Sequence, residues 1–397
     1  MINRGRFRFT AMEQVIFGSP AAETIAKEAA RLSAERVFLI VSGSLDRDTD
    51  EIDKVRDLLG TNYAGSFDAM PAHSPRDAVI AAANAARGVD TDLLVTIGGG
   101  SVTDGTKVVQ ICLEHDVTSV EGLDAYRIET TADGKARVPK FAGPKVRQIS
   151  VPTTLSGGEF NTLGGCTDPR TKIKEGFLHP LLVPRAIILD PAPTVHTPEW
   201  LWLSTGVRAI DHCVEAICSP RANGYCDGAS LHALRLLSRA LPKVRADSSD
   251  LEARMDCLTG AWLAMTAVIG GIPMGASHAI GHILGGTCDV PHGYTSCIML
   301  PTVLRWNAAD NSDALAHHIA RQALVSEAFG QSGRAAGDVV DEFVAGLGLP
   351  RSLSAVDVGE DQFDVIAKNS MHDGWLHTNP RKVHGPEEVM DILRLAS

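Results

Sequence analysis

Runs of consecutive apolar residues in the first half of the chain alternate with segments of helical character. Continuous apolar runs are typical of strands that are buried on both faces of a sheet. Such runs lie at 36–41, 93–97, 146–151 and 186–189. Segments with helical spacing or good helix propensity lie at 50–59, 77–87 and 103–113. Because strands and helices alternate, we predict parallel pairing and a doubly wound sheet.

The second half has a different pattern, in which long amphipathic segments predominate. These segments span 199–218, 227–246, 251–269, 276–285, 311–329, 334–346 and 384–396. Three prolines between positions 191 and 198 mark the change of pattern. We therefore predict two domains, an α/β domain over residues 1–195 and an all-α domain over residues 196–397. Residues 115–145 lack periodicity and are predicted to form a surface excursion.

Composition and charge narrow the class of protein. The chain has 397 residues, and its 48 acidic and 37 basic side chains give a formal net charge of −11. An acidic balance argues against general nucleic-acid binding, although it is compatible with a local basic pocket for an anionic substrate. No apolar run suits a secretion signal or approaches the roughly 18 apolar residues of a membrane span. The eight cysteines are scattered without a CxxC pair, so we expect a cytoplasmic protein with reduced thiols.

A glycine cluster follows the second predicted strand and opens the next predicted helix. Glycines at such a turn let the backbone approach a pyrophosphate, and the helix N-terminus offers free N–H groups. A tight strand-to-helix turn also uses glycines for conformational reasons alone, and the cluster lacks the GxGxxG spacing of the usual dinucleotide fingerprint. The candidate phosphate-binding residues are Gly98, Gly99, Gly100 and Ser101.

Two further features are candidates for the same nucleotide site. Asp104 and Lys107 lie three apart on one face of the following helix, where they form either a surface ion pair or a pair that faces the nucleotide. Residues 152–159 follow the third strand directly and offer small hydroxyl side chains and glycines, among them Thr153 and Thr154. Such residues suit phosphate or ribose contact.

Histidines are concentrated in the second half of the chain. His278 and His282 are four residues apart, which places both on one face of a helix. His292 follows ten residues later, and Arg208 and His212 share a face of an earlier helix in the same way. Several imidazoles in apolar, glycine-rich surroundings favour one functional site over isolated structural histidines.

These motifs together resemble the iron-containing alcohol dehydrogenase superfamily, and especially its maleylacetate reductase branch. The resemblance runs nearly end to end and is carried by segments 14–18, 98–107, 152–154, 211–215, 278–307 and 379–381. It implies the dehydroquinate synthase-like fold, in which a dinucleotide-binding α/β domain precedes a helical domain and the active site lies in the cleft between them.

The resemblance implies a nicotinamide cofactor and assigns residues to it. The glycine cluster with Asp104 would hold the pyrophosphate, Thr153 and Thr154 would line the cofactor, and Lys174 would contact its nicotinamide half. Relatives specific for NAD carry an aspartate after the first strand, and Ser42 and Gly43 stand there in this chain. Without that carboxylate, we predict that NADPH is used along with NADH.

The resemblance also assigns roles to the histidines. His212, His278 and His292 match three of the four usual ligands of iron or zinc in metal-dependent relatives. His282 matches an additional histidine beside the reacting carbon, which makes it a candidate proton relay.

The fourth ligand position departs from the metal-dependent pattern. Relatives that bind metal carry an aspartate four residues before the first histidine ligand, and this chain has Arg208 there. A guanidinium cannot coordinate a metal and repels a divalent cation, so we expect the metal to be absent. Asp211 lies three residues after Arg208 and is placed to pair with it.

Three hypotheses follow. The first is a metal-independent, NAD(P)H-dependent reductase of a small oxo-acid, in which Arg208 binds the substrate carboxylate and His282 or another histidine protonates the alkoxide. The second is a metal-dependent alcohol dehydrogenase that uses the three ligand-position histidines. The third is a non-catalytic binding protein on a dehydrogenase scaffold, which the intact phosphate cradles and histidines disfavour. We expect a small-molecule substrate, a homodimer, and no nucleic-acid or membrane partner.

Overall fold

The computed structural model describes residues 6–130, 136–309 and 313–397, which form two compact units. The α/β unit is Phe9–Thr197, and the helical unit is Pro198–Ser397 together with residues 6–8. The predicted boundary falls after residue 195 and includes residues 6–8 in the α/β domain, so it differs from the observed units by two residues at the boundary and by this N-terminal segment.

The α/β unit is built on one parallel sheet. Its strands are β1 (Gln14–Phe17), β2 (Val37–Val41), β3 (Tyr63–Phe67), β4 (Leu93–Gly98), β5 (Glu129–Thr130), β6 (Ala136–Arg137), β7 (Arg147–Pro152), β8 (Leu163–Asp168), β9 (Ile173–Leu178) and β10 (Ala186–Leu189). Six of these described strands form the sheet in the order β1-β10-β7-β4-β2-β3. β5 pairs with β6, and β8 with β9, as two antiparallel hairpins.

Helices cover both faces of this sheet. They are α1 (Ala21–Arg31), α2 (Gly43–Asp48), α3 (Glu51–Leu59), α4 (Arg76–Arg87) and α5 (Gly100–Glu114). Alternate residues of β2 point to opposite cores: Leu39 packs in the core that includes α1 and α3, whereas Ile40 packs in the core that includes α4 and α5. Because every residue of β2 and β4 is buried, these strands carry the continuous apolar runs that predicted them.

The strand order contains a switch point. From β2 the chain moves outward to β3 on one side, then returns to β4 on the other side and continues to β7. The carboxyl ends of β2 and β4 therefore lie side by side where the winding direction reverses, which is where open α/β sheets bind ligands. The predicted doubly wound parallel sheet is confirmed.

The second unit is helical, as predicted. Its helices are α6 (Glu199–Cys218), α7 (Gly224–Ala246), α8 (Leu251–Ile269), α9 (Ala276–Cys288), α10 (His292–Ala308), α11 (Asp313–Ala328), α12 (Ala336–Gly346), α13 (Glu360–Ser370) and α14 (Pro386–Leu395). α6 packs against α7, α8 and α10, and nearly all of its residues are buried. Within the described ranges, no helix is both long and apolar enough to span a membrane.

Several elements are absent from the sequence prediction. β1 and β3 lie at the sheet edges and are only partly buried, so they lack a continuous apolar run. α10 begins with a histidine and a glycine and contains Pro301, and its nearly complete burial removes the amphipathic pattern. Residues 115–130 and 136–145 lie in the predicted surface excursion, yet Leu123 is fully buried and two short strands pair there.

Candidate active site

The predicted nucleotide-binding segments meet at the switch point of the sheet. Val41 pairs with Ile97, and Gly98 pairs with Pro152 in the neighbouring strand. The residues that follow β2, β4 and β7 therefore lie next to one another at one edge. These are Ser42 and Gly43, then Gly99, Gly100 and Ser101, then Thr153 and Thr154.

The glycines are needed because the segments approach so closely. A Cβ atom at Gly99 would lie 3.1 Å from Cγ2 of Thr154, and one at Gly100 would lie 2.9 Å from Oγ of Ser156. α5 then begins at Gly100 without a capping side chain. Its first N–H groups and the positive end of its dipole thus suit an anionic phosphate. The two predicted phosphate cradles are parts of one surface.

Two alternatives were open for Lys107, a surface ion pair with Asp104 or a position facing the nucleotide. The structure instead buries Lys107, with backbone carbonyl oxygens as its closest partners. Its side chain is fully buried, and Nζ donates hydrogen bonds to the carbonyl oxygens of Gly158 at 2.6 Å and Leu163 at 2.7 Å. The Asp104 carboxylate is farther away, at 3.4 Å. Burial lowers the pKa of Lys107, although Asp104 and Glu159 oppose this. Lys107 therefore tethers the segment before β8 rather than facing a nucleotide.

Asp104 lies beside Lys174, which is far from it in sequence. The two side chains flank Gly165 of β8, where an added Cβ would lie 3.2 Å from Oδ2 of Asp104 and 2.6 Å from Cε of Lys174. The β8–β9 hairpin brings Lys174 to this position because Thr167 pairs with Lys174 across it. Asp104 and Lys174, which the resemblance assigns to different parts of the cofactor, thus both lie next to Gly165.

An arginine that the sequence analysis did not consider lies next to Gly43. A Cβ atom at Gly43 would be 2.9 Å from Nη1 of Arg47 and 2.5 Å from the carbonyl oxygen of Asp68. An aspartate, which NAD-specific relatives carry here, would not fit without a backbone shift. The four-residue spacing of Gly43 and Arg47 on α2 was the signal available in the sequence.

In the helical unit, four predicted histidines lie in a row. His212 comes from α6, His278 and His282 come from α9, and His292 begins α10. The ring centroids of His212 and His278 are 4.7 Å apart, those of His278 and His282 are 6.5 Å apart, and those of His282 and His292 are 5.9 Å apart. Three helices therefore bring these imidazoles together, as their spacing predicted.

His278 is held by two carboxylates of α6. Its Nδ1 atom lies 2.8 Å from Oε2 of Glu215 and 3.3 Å from Oδ2 of Asp211. Burial and Arg208 would lower the pKa of His278, but these carboxylates prevail and raise it. With Nδ1 engaged, the buried Nε2 atom has no hydrogen-bond partner in the part of the chain that the structure describes.

Glu215 also fixes the start of α9. Its carboxylate accepts hydrogen bonds from the backbone N–H groups of Gly275 at 2.8 Å and Ser277 at 2.9 Å. The side-chain oxygen of Asn379 accepts from the N–H of Ala276 at 3.2 Å. These bonds satisfy free donors of the helix N-terminus. Glu215 and Asn379, which belong to segments that carry the family resemblance, thus have a structural role at the start of α9.

Arg208 does not form the predicted ion pair with Asp211. The residue is 8% exposed, and Nη1 of its guanidinium donates a hydrogen bond to Oγ of Ser296 at 3.2 Å. Ser296 in turn donates to Oδ2 of Asp211 at 2.7 Å. Among the described residues, no carboxylate oxygen lies within 4.0 Å of the guanidinium. Asp211 is already engaged by hydroxyl donors and His278, so a serine separates the two charges.

His282 has partners that the sequence analysis missed. Its Nδ1 atom lies 2.8 Å from Oδ2 of Asp373, and its ring lies against Trp375 with a centroid distance of 5.2 Å. Burial lowers the pKa of His282, and the Asp373 carboxylate opposes this effect. Asp373 and Trp375 directly precede the 379–381 motif, but nothing in their spacing linked them to a histidine 91 positions away.

Two family models match the chain. The model described as iron-containing alcohol dehydrogenase matches residues 13–191, and the C-terminal model of the Fe-containing alcohol dehydrogenase family matches residues 202–397. The chain belongs to the iron-containing alcohol dehydrogenase family. It is an NAD(P)-dependent oxidoreductase of that family, so the prediction of an enzyme is confirmed and the hypothesis of a non-catalytic binding protein is set aside.

Individual relatives support the predicted branch. The dehydrogenase ALT3 of Alternaria alternata is 32% identical over 91% of this chain and 98% of its own. A maleylacetate reductase of a Rhizobium species is 29% identical over 90% of this chain and 89% of its own. The crystal structure of maleylacetate reductase from Agrobacterium tumefaciens superimposes with a TM-score of 0.80 at 26% identity, covering 100% of this chain and 98% of that one. The resemblance to maleylacetate reductases is confirmed.

The family name implies iron, but the side chains of this member do not fit a divalent cation. In the described ranges, the acidic and histidine side chains whose ligand atoms all lie within 4.8 Å of one another are Asp211, Glu215 and His278, and these already bond to each other. The predicted ligand set of His212, His278 and His292 does not converge in this way. Burial, His278 and the charge of Arg208 all hold the pKa of His212 well below its usual value. The positive charge of Arg208 therefore acts on the histidine rings that would have to bind the metal.

Proposed function

We propose that this enzyme reduces the carbonyl group of a small oxo-acid with NADPH or NADH and does not require a metal. The observation that carries the proposal is the state of Arg208. The residue is more than nine-tenths buried, and among the described residues its guanidinium makes one hydrogen bond and has no carboxylate within 4.0 Å.

A buried cation of this kind calls for an anion. Removing an ion from water costs several kcal/mol unless an opposite charge and hydrogen bonds replace the water. A guanidinium has five N–H donors, and one of those of Arg208 is used by Ser296. A substrate carboxylate would accept two parallel hydrogen bonds and neutralise the charge. Arg208 therefore supports recognition of an acid rather than an uncharged alcohol.

The residues around His282 support its role as the proton donor. Since Asp373 binds Nδ1, the other ring nitrogen, Nε2, is the one that can serve a substrate. His282 would release a proton from Nε2 to the carbonyl oxygen as the carbonyl becomes an alcohol. The adjacent Asp373 carboxylate stabilises the doubly protonated ring before that transfer. The side chain of His282 is 34% exposed, so solvent can return the proton afterwards.

The glycine surface of the α/β unit supports nicotinamide dinucleotide binding. Gly98, Gly99, Gly100 and Ser101 would receive the pyrophosphate at the start of α5, with Asp104, Thr153, Thr154 and Lys174 along the remainder of the cofactor. When bound, the nicotinamide supplies the hydride. Gly43 lacks a carboxylate that would repel a 2′-phosphate, and Arg47 beside it offers a cation.

The test compares short oxo-acids with their own methyl esters, in the wild type and in Arg208→Ala. We expect wild-type kcat/KM to favour the acids. The substitution should lower kcat/KM for acids by about 30- to 1,000-fold, which corresponds to roughly 2–4 kcal/mol for a desolvated bidentate contact. The esters and the KM of NADPH should change only a few-fold.

A purely structural Arg208 would behave differently. In that case Arg208→Ala would lower the melting temperature and leave kcat/KM for every acid near the wild-type value. That result would end the carboxylate hypothesis. Arg208→Lys is the conservative comparison, since it keeps the charge but loses the planar pair of donors.

A metal-dependent alcohol dehydrogenase is the second candidate. The observation in its favour is that Nε2 of His278 has no hydrogen-bond partner among the described residues, while the ring centroid of His278 lies 4.7 Å from that of His212. Under this candidate, Arg208→Asp would supply the fourth ligand and increase metal-dependent turnover. Under the oxo-acid proposal, the same substitution abolishes acid reduction with or without added metal.

A further inference from the structure

We infer that Ser296 is the positioning residue that makes the enzyme selective for carboxylates, because it sets the place of the Arg208 guanidinium while keeping it apart from Asp211. The inference rests on the proposed function, since it explains how the proposed carboxylate contact is built. Ser296 itself need not touch the substrate.

The direction of each hydrogen bond at Ser296 is fixed by chemistry. A guanidinium only donates, and an ionised carboxylate only accepts. The Oγ atom of Ser296 therefore accepts from Nη1 of Arg208 at 3.2 Å and gives its single hydrogen to Oδ2 of Asp211 at 2.7 Å. Ser296 is fully buried, so water does not compete for either bond.

Asp211 is a firm anchor for this arrangement. Its carboxylate is fully buried, and Oδ2 also accepts from Oγ of Ser277 at 2.9 Å and lies 3.3 Å from Nδ1 of His278. Because Oδ2 of Asp211 accepts the hydrogen of Ser296, the Ser296 hydroxyl is held with a lone pair toward Arg208.

Separating Arg208 from Asp211 leaves its charge available. Asp211 is three residues away on the same helix, so a direct ion pair is within reach of the side chains. Such a pair would occupy two of the five guanidinium donors and neutralise much of the charge that attracts a substrate carboxylate. The Ser296 hydroxyl lies between them instead. It is polarised by the negative charge of Asp211, which strengthens its hydrogen bond with Arg208, and it occupies only one guanidinium donor. Among the described residues, no other hydrogen bond or ion pair engages the guanidinium, so its remaining donors are available to a ligand.

The surrounding helices leave little freedom to the guanidinium. A Cβ atom at Gly281 of α9 would lie 3.8 Å from Nη1 of Arg208 and 2.9 Å from Oγ1 of Thr295 on α10. Gly281 therefore lets α10 approach and brings Ser296 to Arg208. Ordering an arginine side chain costs much rotamer entropy. The hydrogen bond to Ser296 helps to offset that cost and holds the guanidinium in one position.

The experiment measures KM and kcat for an oxo-acid and its methyl ester in three serine variants. Ser296→Ala should raise KM for the acid about 10-fold, as expected for loss of one hydrogen bond to a charged group. The kcat value and both parameters for the ester should stay within about threefold. Ser296→Thr keeps the hydroxyl and should restore the wild-type acid-to-ester ratio.

Ser277→Ala is the matched control. Ser277 also donates to Oδ2 of Asp211, but it does not contact Arg208. Its removal should leave the acid-to-ester ratio within about twofold of the wild type. Melting temperatures and the KM of NADPH establish that each variant is folded and binds cofactor.

The outcomes separate this inference from the proposed function. If Ser296→Ala weakens acid and ester use equally, or if Ser277→Ala lowers the ratio as much, Ser296 is a structural residue and the inference is wrong. If Arg208→Ala collapses the ratio but Ser296→Ala does not, the inference fails and the proposed function stands. If Arg208→Ala leaves the ratio unchanged, the proposed function fails, and the inference with it.

Discussion

The Nδ1 atom of His282 lies 2.8 Å from a carboxylate oxygen of Asp373. The backbone N–H of Trp375 donates to the other carboxylate oxygen at 2.8 Å, and the ring of Trp375 lies against His282. The carboxylate thus fixes which ring nitrogen carries the hydrogen toward Asp373, and the tryptophan limits rotation of the imidazole. This is the arrangement expected of an oriented general acid.

Asp373→Asn is expected to lower kcat by 10-fold or more while KM for the substrate changes less than threefold. The amide removes the charge that stabilises the doubly protonated His282, and positioned general acids contribute about 10²- to 10⁴-fold. Steady-state kinetics of oxo-acid reduction measure the effect. Asp364→Asn serves as control, because Asp364 forms an exposed ion pair with Lys368 nearby. Equal kcat in both variants would show that Asp373 plays no part in proton transfer.

Arg47→Gln is expected to lower kcat/KM for NADPH about 10-fold and to leave kcat/KM for NADH within about threefold. Arg47 lies beside Gly43, where a 2′-phosphate would sit, and hydrogen bonds to charged groups are worth roughly 1.5–3 kcal/mol. Initial rates with each cofactor at saturating substrate measure this. A wild-type preference for NADH of more than ~100-fold, about 2.7 kcal/mol, would contradict the prediction that both cofactors are used.

Glu159→Gln is expected to remove part of the pH dependence of stability. Burial raises the pKa of Glu159 from 4.5 to about 7, although Lys107 opposes this. Between these values the folded state holds a proton that the unfolded state has lost. The free energy of unfolding therefore falls as the pH rises through this window and levels off above about 7. Over the whole window the loss is on the order of 3 kcal/mol.

Urea unfolding at pH 5 and pH 8 measures the effect. The wild type should be less stable at pH 8 by this contribution, and Glu159→Gln should lack it. Glu121→Gln is the control, since Glu121 is exposed and its pKa is lowered by hydrogen bonds rather than raised by burial. An unchanged difference between the two pH values in Glu159→Gln would contradict the assignment.

Most of the architecture could be predicted from hydrophobic patterns within single segments of the sequence. β2 and β4 are buried on both faces and therefore appear as continuous apolar runs. Long helices such as α8 were also predicted, because helix length and apolar content are properties of one segment. The edge strands were missed because partial burial leaves them without a continuous apolar run. α10 was missed because nearly complete burial removes the amphipathic periodicity of a helix.

Site residues could be predicted where their spacing in the sequence places them on one face of a helix. They could not be predicted where their role depends on contacts between distant parts of the chain. The four-residue spacing of His278 and His282 placed both on α9. Ser296 gave no such signal, because a serine becomes notable only when packing carries it to an arginine 88 positions away. The alternatives for Lys107 stayed open in the sequence for a similar reason, since its carbonyl partners lie more than 50 positions away.

The central claim is that a guanidinium takes the place of a metal in the recognition and reduction of an oxo-acid. Measuring the metal content of the purified enzyme together with kcat/KM for an oxo-acid before and after exhaustive chelation tests it most directly. The account predicts far less than one equivalent of iron or zinc and an unchanged kcat/KM after chelation. Stoichiometric metal, with turnover that is lost on chelation and restored by adding the metal back, would contradict it.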